Sequence, residues 1–147
     1  MSALSVAEVR QRIENQIKTV LGPSNWRVSR YVPEMFVRDT DQLAPRMFSV
    51  GLGSTRPIGD RQRRPQGTTV ETGIVVRWAW RLRADNQLND YDVSTEAGHG
   101  LIAAVTQTPL TDLHIILSQV DAPSISQDGS WYFGTISFTT QHLLALT

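Results

Sequence analysis

The stretch TTVETGIVVRWAWRLR, residues 68–83, constrains the fold more than any other part of the chain. Its apolar residues fall on alternate positions. Val70, Ile74, Val76, Trp78, Trp80 and Leu82 share one face, and Glu71, Arg77, Arg81 and Arg83 share the other. A period of two is that of a β-strand with one buried face, and this run is much longer than the roughly 5–6 residues of an average strand. A strand of this length needs neighbours to pair with and a layer to cover its apolar face, so the chain is committed to a sheet-based fold.

One other segment has a comparably clear period. From Ser5 to Leu21, Val6, Val9, Ile13, Ile17, Val20 and Leu21 recur at three- and four-residue steps, the pattern of an amphipathic helix. Ser5 and Glu8 have the spacing of a capping box. Gly22 and Pro23 stop the helix, the first by tolerating a left-handed backbone and the second by being unable to continue it. Alternation then predicts strands over 26–32 and 47–52. Residues 33–46 read as a loop, and so do 54–67, where Gly59, Gly67, Pro57 and Pro65 break regular structure. The long strand is expected to run to about Ala84. Asp85–Asp90 reads as a turn. Asp92 is placed to cap a second helix reaching about Gln107, with Val93, Ala97, Leu101, Ala104 and Val105 as its buried stripe. Gly98 and Gly100 weaken that helix and suggest close backbone packing. Strands are expected over 112–120 and 131–140, with Tyr132, Ile136 and Phe138 on one face of the last, and the tail HLLALT able to extend it. The resulting order is α-β-β-β-α-β-β. Few strands are joined by crossover helices, so the expected architecture is a single α+β domain with a mainly antiparallel sheet and two helices on one face.

Composition narrows function mostly by exclusion. The chain has 147 residues, 40% of them hydrophobic, and a formal net charge of zero. This suits one domain with a real core and no global field towards nucleic acid or membrane. With no cysteine, disulfides, thiolate nucleophiles and cysteine metal sites are excluded. The N-terminus does not read as a signal peptide, and no apolar run approaches the roughly 20 residues that span a bilayer. The expectation is a soluble protein made in a cytoplasm.

No catalytic constellation emerges. His99, His114 and His142 are dispersed and lack metal-ligand spacing. Asp90 and Asp92 are explained by capping. Gly51 and Gly53 open a dinucleotide fingerprint whose third glycine is replaced by Arg56. Neither a phosphate-binding GxxxxGK[ST] nor a GxSxG elbow is present. Trp78 and Trp80 read as core rather than as a base-stacking platform, because the strand's arginines point the other way. What remains is arginine. Lys18 is the only lysine against thirteen arginines. Arg77, Arg81 and Arg83 form a candidate ridge on one sheet face, and Arg56, Arg61, Arg63 and Arg64 crowd the 54–67 loop. These seven are the candidate residues for a subunit interface or a contact with DNA.

The order of elements resembles that of the tail-terminator, or tail-completion, proteins of long-tailed bacteriophages. The segments that carry the resemblance are SVAEVRQRIENQIKTVL, TGIVVRWAWRLRAD, NDYDVSTEAGHGLIAAV and WYFGTISFTTQHLLAL. The resemblance implies a small α+β subunit that forms a ring, typically a hexamer, on the head-proximal end of the tail tube in the virion. Such a ring ends tube growth and offers a surface to the head. It implies the tail-tube protein and a head-closure protein as partners, transient contact with DNA in the lumen, no membrane, no cofactor and no catalysis. A neck or head–tail connector protein is the nearest alternative. A small nucleic-acid-binding module and an enzyme with a dispersed site are the readings from other classes.

Overall fold

In the computed structural model, which describes residues 2–22, 26–29, 32–33, 45–58, 68–107 and 109–146, one six-stranded sheet is covered on one face by two helices. The helices are α1 (Val6–Leu21) and α2 (Gln87–Thr106), and the strands are β1 (Arg27–Val28), β2 (Arg46–Pro57), β3 (Thr68–Arg81), β4 (His114–Val120), β5 (Ser124–Ile125) and β6 (Trp131–Leu144). The strand order is β1-β2-β3-β6-β4, with β5 pairing beside β4 on the same flank of β6. Only β1 runs parallel to its neighbour; every other pairing is antiparallel. The expected α+β architecture with a mainly antiparallel sheet is therefore the architecture of the molecule.

The long alternating strand lies at its centre. β3 pairs with β2 along one side and with the whole of β6 along the other, from Thr68 opposite Leu144 to Arg81 opposite Trp131. Its even-numbered residues face the helices. There Ile74, Val76, Trp78 and Trp80 meet Phe48, Val50, Tyr132, Ile136 and Phe138 from the sheet, with Val9, Ile13 and Ile17 from α1 and Leu101 and Val105 from α2. Ser5 caps α1 with both bonds of the capping box in place. Val20, placed on the apolar stripe by its spacing, is exposed.

Trp78 organises the centre of this core. Its indole stacks on Tyr132 at 5.9 Å between centroids, and its Nε1–H donates to the Ser94 hydroxyl at 3.2 Å. Gly134 stands directly opposite it on β6, and Gly98 approaches it from α2. A methyl at either glycine would fall within 2.5 Å of the ring. Gly98 therefore does bring the α2 backbone close, as its place in a helix suggests, whereas Gly100 has open space beside it.

Besides small shifts, such as β3 ending at Arg81 rather than near Ala84, three features differ from expectation. β2 runs to Pro57, so residues 54–57 are strand and not loop. Thr55, Arg56 and Pro57 pair with Thr72, Glu71 and Val70, and a bulge between Leu52 and Thr55 absorbs the irregularity. The rest of the expected 54–67 loop, beyond Ile58, lies outside the described residues. Second, α2 begins at Gln87 rather than after Asp92, and the expected 85–90 turn is largely helix. Asn86 takes the cap position without a side-chain bond, because burial against β3 and β6 supplies what capping does not. Third, the α2 stripe passes through Asp90, Ser94, Gly98 and Leu101, leaving Val93 exposed. The bulky indole of Trp78 selects small residues on the helix face it meets. At the C-terminus β6 continues to Leu144, as the apolar tail allows, and Leu4 bridges to it.

Candidate assembly surfaces

The two lateral edges of the sheet differ in how well they are protected. On one side, among the described residues, β1 pairs only with Met47 and Phe48 of β2. The exposed remainder of that edge carries the bulge, Arg56 and Pro57, all features that discourage another strand from pairing. On the other side β4 is the outermost strand among the described residues, and its sequence HIILSQV contains no lysine, arginine or proline. Ile116 is 48% exposed and Val120 45%, and Leu117 and Ile125 are similarly open. Among the described residues, one bulge, between Leu117 and Gln119, disturbs this edge. An apolar, uncharged edge strand is a template for association.

The face away from the helices is mixed. Met47, Ala79 and Trp131 are buried there with Phe133 packed against them, forming a second, smaller cluster. Trp131 thus points away from the main core, although it adjoins Tyr132 in sequence. Beyond this cluster the face carries half-buried Val75, Arg77, Thr135, Ser137 and Thr139.

The seven candidate arginines are not brought together into one site. Arg61, Arg63 and Arg64 lie outside the described residues. Arg56 pairs with Glu71 across the β2–β3 ladder at 3.1 Å, an exposed cross-strand pair whose worth to stability is about 0–1 kcal/mol. Arg77 is half-buried on the face away from the helices, its guanidinium close to Gly51. Arg81 is exposed at the end of β3. Arg83 turns towards α2 and leaves the expected ridge, because buried Asp90 holds it. The Asp90 carboxylate accepts from the Arg83 backbone N–H at 2.8 Å, from Nε at 3.0 Å and from Nη2 at 2.8 Å. Capping therefore does not account for Asp90.

This pair borders an open cleft of about 380 Å³ lined by Arg46, Trp80, Arg81, Arg83, Asn89 and Asp90. The Arg46 guanidinium lies 4.5 Å above the Trp80 ring, a cation–π contact that takes up one face of the indole. Among the described residues no three His, Asp or Glu side chains cluster as metal ligands, and no helix is long and apolar enough to cross a membrane.

The Arg83 bonds, with burial opposing them, hold the Asp90 carboxyl down at about 2, below its ordinary 3.8, and Asp90 in turn raises the Arg83 pKa. A carboxyl depressed in the folded state adds stability that is complete above its unfolded pKa and is lost as pH falls through its folded one. Asp90→Asn is therefore expected to melt below wild type at pH 7. The gap should narrow as pH falls through 3.8 and close near 2. Asp128, also held near 2 by the Ser126 and Ser130 hydroxyls, titrates in the same window but is common to both proteins and cancels from the difference. Thermal melts of the two proteins across pH 2–7 check this; a gap independent of pH would exclude the ion pair.

The signal for the β4 edge was present in the sequence as an uncharged apolar run, but only the strand order reveals that it is an edge. No family model matches the chain, and no curated protein matches it either.

Proposed function

We infer that this chain is a structural subunit that acts by associating with copies of itself into a closed ring, and that its role is that of a phage tail terminator. The observation that carries the reading is the open β4 edge. It is a seven-residue strand with exposed Ile116, Leu117 and Val120 and none of the charges that keep a monomer's edge solitary. The opposite edge of the sheet is of a different character, which suits a heterologous contact between copies, and heterologous contacts close into rings when the rotation permits. The resemblance of the element order to tail terminators supplies the setting: a ring seated on the head-proximal end of the tail tube. The tube protein lies on one side of it, a head-closure protein on the other, and DNA passes through the lumen. The nucleic-acid-module reading is weaker. Trp78 and Trp80 are buried, and Arg56 and Arg83 are already paired with carboxylates.

The test is self-association measured by light scattering over a range of concentrations, together with electron microscopy of the protein mixed with tail tubes. Wild type is expected to form rings, or to decorate tube ends. Ile116→Lys/Val120→Lys is expected to stay folded, since both side chains are exposed, and to do neither. A wild-type protein that stays monomeric at every concentration and ignores tube ends would end this reading.

A further inference from the structure

The zero net charge conceals a complete segregation of cations. All fourteen lysine and arginine residues lie within residues 1–83, together with seven acidic residues; residues 84–147 contain seven acidic residues and no lysine or arginine. The fold turns this division of the sequence into a division of space. β1, β2 and β3 come from the first part and occupy one side of the sheet, while β6, β4 and β5 come from the second and occupy the other. α1 belongs to the basic part and packs on β2 and α2; α2 belongs to the acidic part and packs on β3, β4 and β6.

Local pairing sharpens the contrast. On the basic side Glu14 is engaged by Arg10 and Glu71 by Arg56, so two of the three carboxylates described there are already matched. Arg27 on β1, Arg46 on β2 and Lys18 on α1 are exposed and have no carboxylate partner among the described residues. On the acidic side, among the described residues, only Asp90 meets a cation, Arg83. Exposed Asp121, Asp92 and Glu96 meet none, and Asp121 immediately follows the apolar edge strand β4.

We propose that the acidic β4 flank of one molecule docks on the basic β1–β2 flank of a second copy through side chains, without extending the strand ladder, so that association is head-to-tail. This rests on the reading of the chain as a self-assembling subunit and specifies which surfaces meet. Charge complementarity selects the occupant. Two β4 flanks meeting back to back would set acidic surface against acidic surface, whereas head-to-tail docking sets acid against base at every contact. The exposed Ile116 and Val120 then have an apolar counterpart on the other flank, where Leu52 of β2 is 42% exposed. Because each copy keeps one unused flank of each sign, the contact propagates until the ring closes.

Two variants test the direction. The first, Val120→Arg/Asp121→Arg, makes the acidic flank basic. The second, Arg27→Glu/Arg56→Glu, makes the basic flank acidic. Thermal melts establish that each is folded, and analytical ultracentrifugation reads association. Each variant alone is expected to self-associate at least ~10-fold more weakly than wild type, since like charges then face each other. An equimolar mixture is expected to recover assembly, because each basic flank again finds an acidic one. Wild-type association should also weaken as salt rises from about 0.05 to 0.5 M, as screening of exposed charges requires. If the second variant associates as wild type does while the first does not, β4 meets β4 and the head-to-tail contact is wrong. If both variants associate as wild type does, the charged flanks are not the contact, although self-assembly stands. Wild type that never associates removes both the contact and the self-assembly reading.

Discussion

Trp78→Ala is expected to destabilise the fold by about 3–5 kcal/mol, lowering the melting temperature by on the order of 10 °C. The indole is 3% exposed, stacks on Tyr132, bonds Ser94, and fills the space left by two glycines on different elements. No single relaxation can close such a hole, because its walls belong to β6 and α2 as well as β3. The same packing predicts the converse. A Cβ at Gly134 would stand 2.1 Å from the ring, so Gly134→Ala must push the indole or split the β3–β6 ladder, and Gly134→Val must do so further. Overpacking of this kind typically costs about 1–3 kcal/mol. The two defects compensate. Trp78→Leu/Gly134→Ala should be less destabilised than the sum of its single substitutions, with a coupling within the roughly 0.5–3 kcal/mol seen for residues in contact. Denaturant melts of the four proteins measure this cycle. Simple additivity, or a Gly134→Ala protein as stable as wild type, would show that the indole does not occupy this space.

This cluster also shows why some features can be read from sequence and others cannot. α1 and β3 are legible because each repeats its own period over many residues, and the capping box of Ser5 and Glu8 is a local signal with a local cause. α2 is only half legible. Its stripe is made of Asp90, Ser94, Gly98 and Leu101, and the first three are buried for reasons that lie elsewhere in the chain. Asp90 goes in to hold Arg83, Ser94 to accept from Trp78, and Gly98 to make room for the same ring. Hydrophobicity instead favours Val93, which is exposed. The end of β2 is hidden by Gly53 and Pro57, which signal a break unless the pairing partner is known. The candidate surfaces follow the same rule. The arginines were conspicuous by composition, yet where each goes depends on nearby carboxylates: Glu71 takes Arg56, and Asp90 takes Arg83. The contrast between the two halves of the chain is plain in a count of charges, but it becomes a surface only once β6 is seen to separate β3 from β4.

The second large effect is expected where the core turns polar. His142 is 1% exposed at the far end of β6, in a layer that elsewhere is mostly apolar. Its Nδ1 lies 3.0 Å from the Leu143 carbonyl, which can only accept, so this nitrogen carries the proton. Nε2 then accepts a hydrogen bond from the Thr72 hydroxyl at 2.9 Å. Thr72 Oγ1 is left to accept from Thr55 at 3.1 Å, while Thr140 donates to the Thr72 carbonyl at 2.8 Å. The Leu143 carbonyl also accepts from the Leu4 N–H at 2.8 Å, so the network anchors the N-terminal segment to β6. His142→Ala removes the middle of this chain and opens a cavity, for an expected loss of about 2–4 kcal/mol. Thr72→Val keeps the volume but leaves Nε2 buried without a donor, for an expected loss of about 1–3 kcal/mol. His142→Leu/Thr72→Val removes both ends of the bond together. It should be more stable than the single losses imply, because an apolar pair leaves no buried acceptor unanswered. Equilibrium unfolding in urea of these variants separates the terms. Should Thr72→Val unfold at the wild-type midpoint, the imidazole is not bonded to Thr72, and the ordering of β6 against the N-terminal segment must rest on the Leu4 backbone bonds and apolar contact.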